Sequence, residues 1–208
     1  MPPSYPVTFS VDYPERELNR ISTFFRIFAV IPIAIVAELL PGSGLAGQIG
    51  SNGYSGAVAA GSIVFLPIVL MLLVEKKYPR WWFDWNLELL RFLNRISIYV
   101  ALMDDEYPST DERQAVHLDF PYPDAQQLSR GLPLVKWFLA IPHYIVLGFL
   151  FIGVFFSVIG AWFAILFTGR YPRGIFEFVE GTIRWYNRVV AYAVVLVTDD
   201  YPPFRLGA

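Results

Sequence analysis

At 208 residues the chain has room for one domain or two small ones. Hydrophobic residues make up 55% and charged residues 16%, where a soluble domain carries roughly 25% charged residues, so an ordinary water-soluble surface is hard to build. The absence of cysteine excludes disulfides, thiolate metal sites and thiol catalysis, and a formal net charge of -2 argues against nucleic acid as a partner.

Apolar and polar residues alternate from Val7 to Val11, which predicts a short strand. The first apolar run begins near Ile21. Asp12 and Glu15 precede it where a secretory signal would be basic, so the segment reads as retained. Spans are expected at about 22–40 and 57–74, separated by a Gly-rich insertion within Pro41 to Gly56. After Tyr78-Pro79-Arg80 the period turns helical over about 80–97. Arg80, Asp84, Glu88, Arg91 and Arg95 then share an arc of about 80°. An otherwise aromatic and aliphatic helix of this kind suits the membrane interface.

Much of this pattern then recurs. Val7 to Pro14 aligns with Val116 to Pro123, Arg26 with Lys136, Ile31-Pro32 with Ile141-Pro142, and Tyr78-Pro79-Arg80 with Tyr171-Pro172-Arg173. The last register carries Arg91, Asn94, Arg95 and Tyr99 onto Arg184, Asn187, Arg188 and Tyr192. Each half closes on acidic residues and Tyr-Pro, at Asp105-Glu106-Tyr107-Pro108 and Asp199-Asp200-Tyr201-Pro202. Agreement at so many polar positions reads as a tandem duplication, with residues 1–110 and 111–208 as the two membrane repeats.

In the second repeat the apolar residues merge from Leu132 to Thr168. One helix of that length would measure roughly 55 Å against roughly 30 Å of bilayer core. A hairpin of two short spans is therefore expected, at about 133–150 and 153–168, turning near Gly148 to Gly153. Pro32 and Pro142 should bend their helices. A second interfacial helix is expected over about 173–190, with Arg173, Glu177, Glu180, Arg184 and Arg188 on one face. Alternation recurs at Val116 to Phe120, and β-branched runs at Ile98 to Leu102 and Tyr192 to Val197 bring the expected short strands to four, enough for a small sheet.

None of the 16 Lys and Arg residues falls between Ile27 and Glu75 or between Trp137 and Gly169. With the positive-inside rule this puts both termini, and the linker around Arg113, in the cytoplasm. The arginines Arg91, Arg95, Arg184 and Arg188 read either as part of a solvated, internally paired face or as a site for lipid phosphate or a protein partner. Asp104, Asp105, Asp199 and Asp200 form two acidic clusters, read as turn and salt-bridge residues with acid-base or Mg²⁺ chemistry as the alternative. With two histidines, a histidine metal site is not expected. His117 is expected to face solvent, and His143, at the start of a span, to make an interfacial hydrogen bond. No nucleophile elbow, zinc-protease motif or phosphate loop occurs. No catalytic residue, metal ligand or cofactor is assigned.

The stretches Ala140-Ile141-Pro142-His143, Trp162 to Gly174, and Thr198-Asp199-Asp200-Tyr201-Pro202-Pro203-Phe204 resemble the bacterial membrane family called domain of unknown function 4389. The first repeat departs from that pattern, with Trp81 in place of glycine and Ile33 in place of histidine. The resemblance implies a bacterial multi-pass membrane protein and supplies no activity.

The fold expected is thus a predominantly α-helical, multi-pass membrane protein of the bacterial cytoplasmic membrane. Each repeat would be a transmembrane hairpin plus an interfacial amphipathic helix, with a small sheet from the unit ends. The favoured function is a non-enzymatic accessory or scaffold subunit packing against lipid, with anionic headgroups, a membrane protein or further copies of itself as partners. The alternatives are a small oligomeric transporter or channel component, and a membrane enzyme using the acidic clusters.

Overall fold

The computed structural model describes residues 5–39, 77–110, 112, 114–129 and 131–207, without the side chains of 36–39. The expected span at 57–74, the Gly-rich insertion and Arg113 lie outside the described residues. In chain order come β1 (Thr8–Val11), α1 (Arg20–Leu39), α2 (Arg80–Val100), β2 (Val116–Asp119), α3 (Leu132–Leu139), α4 (Ile141–Thr168) and α5 (Arg173–Val190), which unwinds into a π-turn over Ala191–Val195.

Alternation builds the ribbon. β1 and β2 pair antiparallel with Phe9 opposite Leu118 and Val11 opposite Val116, so one face carries Phe9, Val11, Val116 and Leu118 into the core. That face packs on apolar residues of α2 and α5, among them Phe83, Leu87, Phe176 and Val179. A two-stranded ribbon leaves both edges unpaired, and arginines cap them. Arg184 donates from Nε to Phe9 O at 2.8 Å, and Arg91 from Nε to Leu118 O at 2.9 Å. Glu180 accepts from the Val11 N–H at 3.3 Å.

α2 and α5 cross at Asn94 and Asn187, buried amides that donate to each other at 2.9 and 2.8 Å. α2 turns Arg80, Asp84 and Glu88 outward and α5 Arg173 and Glu177, while Trp82, Phe83, Phe176 and Val179 lie inside together with Arg95 and Arg188. α1, α3 and α4 have the opposite sense. Along α1 the exposed side chains include Ile21, Phe24, Phe25, Ile27, Phe28 and Ile31, while Arg26 and Thr23 are buried. On α3, Phe138 is 71% exposed and Lys136 0%.

The expected hairpin at 133–150 and 153–168 does not form. Leu132 to Thr168 runs as helix throughout, jointed only at Ala140, and is the single stretch among the described residues long and apolar enough to cross a membrane. The multi-pass architecture is corrected accordingly, and the orientation of the termini drawn from it falls with it. Two isolated glycines weaken a helix by about 1 kcal/mol each, too little to break a run this apolar. Gly153 instead admits the Phe178 ring, 3.2 Å from where a Cβ would stand, so it serves packing on α5. The helix ends at Gly169, whose φ of +73° is the left-handed conformation glycine adopts without penalty. Pro142 sits in the first turn of α4, where its missing N–H has no helical acceptor anyway, and Pro32 lies inside a continuous α1.

Two of the four expected strands form. Ile98 to Val100 completes α2 and Ala191 to Val195 is the π-turn. Each of these segments ends on a leucine with φ of 64°, Leu102 and Leu196. A left-handed leucine costs about 1–2 kcal/mol. Burial of both side chains in the core offsets it, and the reversal aims the acidic residues that follow back at the apolar helices.

Candidate functional site

Two buried ion pairs join the apolar helices to the rest of the fold. Arg26 pairs with Asp105 and donates from Nη1 to Tyr99 O at 3.1 Å and also to Asp104 O, with its guanidinium 4.3 Å from the Tyr99 ring centre. Lys136 meets Asp199 at 2.8 Å, donates to Thr198 O at 2.6 Å and lies 5.0 Å from the Tyr192 ring centre. In each case the second carboxylate oxygen takes a backbone N–H at 2.6 Å, from Asn19 to Asp105 and from Ser129 to Asp199. Both cations thus have a counter-ion, a carbonyl and an aromatic face. Burial pushes the Asp199 carboxyl up, but hydrogen bonds from Lys136 and Ser129 and the Lys136 charge outweigh it and hold the group below its ordinary value.

Of the other acidic residues, Asp104 accepts from Arg16 at 2.9 Å and from the Asp105 N–H at 2.7 Å. Asp200 receives the Tyr5 hydroxyl on its backbone carbonyl at 3.1 Å. In the first cluster the two carboxylates take different partners, Arg16 for Asp104 and Arg26 with the Asn19 N–H for Asp105. Among the described residues no three His, Asp or Glu side chains gather as metal ligands would.

The four arginines singled out from the sequence all hold backbone. Besides capping the ribbon, Arg91 pairs with Glu88 at 2.6 Å, and Arg184 pairs with Glu180 and donates to Leu206 O at 2.9 Å. Arg95 donates to Ser109 O at 2.9 Å. Arg188, 2% exposed, donates to Arg205 O at 3.2 Å and Gly207 O at 2.8 Å. Burial, then the neighbouring Arg205 and Arg184, lowers its affinity for its proton. Arg91 and Arg95 line an open cleft of about 570 Å³ between α2 and the outer face of the ribbon, which also carries Glu88, His117 and Asp119. Two acids beside two arginines leave that cleft near neutral. His117 faces solvent and contacts Asp12 at 3.0 Å.

His143 is fully buried under the chain's last described segment. Its Nδ1 accepts from Trp185 Nε1 at 3.0 Å, Phe204 stacks on it at 4.0 Å, and Tyr201 lies 4.8 Å away and donates to Leu139 O. Accepting at Nδ1 leaves the proton on Nε2, which has no hydrogen-bond partner among the described residues.

Gly181 makes room for this strap: a Cβ there would stand 2.9 Å from Leu206 Cβ and 3.1 Å from Leu206 O. Gly181→Ala should therefore destabilise the fold by about 1–3 kcal/mol and loosen residues 203–207. Thermal denaturation together with hydrogen exchange on that segment checks this, and an unchanged exchange rate would mean the strap does not depend on the close approach.

Sequence reading missed Arg26 and Lys136 as partners of Asp105 and Asp199. Their alignment with one another inside apolar runs was the available signal.

Taken as a class, this is an α-helical fold with a small two-stranded ribbon, in which the charged residues inside the apolar runs of α1 and α3, Arg26 and Lys136, point inward. Residues 133–205 match a family model described as a domain of unknown function, DUF4389. Neither the curated proteins nor the solved structures include a match.

Proposed function

We propose that the chain is a non-enzymatic membrane protein, an accessory or scaffold subunit whose α1, α3 and α4 lie against lipid. The observation that carries this reading is the inverted polarity of those helices. A helix facing water turns its charges out and its apolar residues in. Here the only charges from Ile21 to Ile35 and from Leu132 to Thr168 are Arg26 and Lys136, both buried and paired, while phenylalanine, isoleucine and leucine side chains face out. Lipid stabilises that arrangement and water opposes it, because an ionised group costs least when it faces the protein interior with a partner. In support of a structural role, Asp105, Asp199 and the four arginines are all held by other parts of the chain. Resemblance to the family points to the bacterial cytoplasmic membrane.

The same reading includes duplication, with 1–110 and 111–208 as two copies of one unit. In its support, the contacts recur at aligned positions: Arg26–Asp105 beside Lys136–Asp199, Arg91–Leu118 O beside Arg184–Phe9 O, and Tyr13–Tyr171 O beside Tyr122–Tyr78 O.

Isolation of the full chain in native-lipid nanodiscs, followed by mass spectrometry, tests the proposal. The expected result is a chain that stays with membranes through alkaline carbonate washing and carries a stoichiometric protein partner. Release into the aqueous fraction overturns the membrane reading, and a bound small molecule with no protein partner overturns the scaffold role.

A further inference from the structure

Resting on the membrane reading above, we infer that α4 lies in the plane of the bilayer, immersed from one side together with α1 and α3, and does not cross it. By length alone α4 could cross. Its neighbours decide otherwise.

α5 runs beside α4 over most of its length. Trp185 meets His143, Tyr186 meets Phe151, Phe178 meets Gly153, and Ile175 meets Gly160. This companion exposes Arg173 and Glu177, and its Glu180 and Arg184 hold the ribbon. Both ends of the long apolar stretch are tied to polar parts of one body. At one end Lys136 meets Asp199; at the other Gly169 O accepts the Leu18 N–H at 2.8 Å, with Glu17 and Arg20 alongside. An upright α4 would carry α5 and its exposed charges into the hydrocarbon. Laid flat, α4 keeps every one of them on the water side.

The exposed face has the shape this requires. Ile145, Phe149, Ile152, Phe156, Ile159, Phe163 and Phe167 repeat every three or four residues along one side of α4, and His143, Leu147, Ala161 and Ile165 occupy the other. α1 lies alongside, with the Trp162 indole donating to Thr23 O at 3.2 Å and stacked 6.2 Å from Phe24. The two helices thus form one broad apolar layer, continued by exposed Trp137 and Phe138 on α3. The outward aromatic residues and inward cations select hydrocarbon as its occupant.

The chain contains no cysteine, so single nitroxide labels can be attached at Ile145→Cys, Phe149→Cys, Phe156→Cys, Phe163→Cys and Phe167→Cys in the full chain. The labelled proteins are reconstituted in phosphatidylcholine–phosphatidylglycerol vesicles, and depth is read from the relative accessibility of each label to oxygen and to a water-soluble nickel chelate. In-plane immersion gives one shallow depth for all five, about 5–10 Å below the headgroups. A depth that peaks at position 156 and falls toward 145 and 167 overturns the inference and leaves the membrane reading standing. Nickel access at all five overturns both. Labels shielded from both reagents, with spin–spin broadening, would put a second copy on this face and overturn the lipid assignment.

Discussion

Replacing Asp199 by alanine will lower the unfolding free energy by about 3–5 kcal/mol, because it strands a buried ammonium. Lys136 is 0% exposed, and its other contacts, the Thr198 carbonyl and the Tyr192 face, solvate a cation without neutralising it. The Ser129 N–H also loses its acceptor. Lys136→Met with Asp199→Leu removes both charges together and should recover most of the loss, since a buried pair is costly to break and cheap to replace whole. Urea unfolding of the reconstituted chain measures both. A single variant within about 0.5 kcal/mol of the parent would mean that Lys136 finds water or another anion, and would sink the pairing argument. The pH dependence has a definite sign. The folded-state pKa of Asp199 lies below its ordinary 3.8, so its contribution is fully present above that value and is lost as pH falls through the folded-state pKa. The Asp199→Ala variant should lack that part of the parent's acid sensitivity.

The ribbon and the two amphipathic helices were legible because their signals are local. Period-two alternation marks Val7 to Val11 and Val116 to Phe120, and a helical period follows each Tyr-Pro-Arg, so β1, β2, α2 and α5 begin close to where the residues suggest. The apolar layer was not legible, because hydropathy reports that a segment avoids water and says nothing of its direction. By length Leu132 to Thr168 reads as two spans, yet it runs as helix throughout, jointed only at Ala140. What determines its course is α5 beside it, a contact between segments that hydropathy does not encode. The left-handed leucines were missed for a related reason: Leu102 and Leu196 take a conformation that glycine favours, and only the packed core around them makes it tenable.

The candidate site divided in the same way. The arginines on α2 and α5 and the acidic clusters were visible as charges, but their partners were not. Their residue types suggested salt bridges without saying to what, whereas Asp105 and Asp199 pair with Arg26 and Lys136, far off in sequence. Leu102 and Leu196 bring them there, so the information lay in a backbone reversal that the β-branched runs disguised as strands.

Asn94→Leu alone will cost about 1–3 kcal/mol, because it leaves the Asn187 amide buried with only the bond to Ile183 O out of its three hydrogen bonds. In the parent each carboxamide donates to the other and also to a carbonyl one turn back, Asn94 to Leu90 O and Asn187 to Ile183 O. Both are nearly inaccessible to water, so a lost partner is not replaced by solvent. Asn187→Leu should cost a similar amount, since its surroundings mirror those of Asn94. Combining the two removes all four buried polar atoms and fills the crossing with apolar surface, so the double variant should be more stable than the two single losses added together predict. The coupling energy from that double-mutant cycle is expected at about 1–2 kcal/mol, measured by urea unfolding. Strict additivity would show that the amides do not depend on each other. A large coupling with near-parental stability in the double variant would assign the amides to fixing the crossing point, a role in which a polar pair trades some stability for a single register.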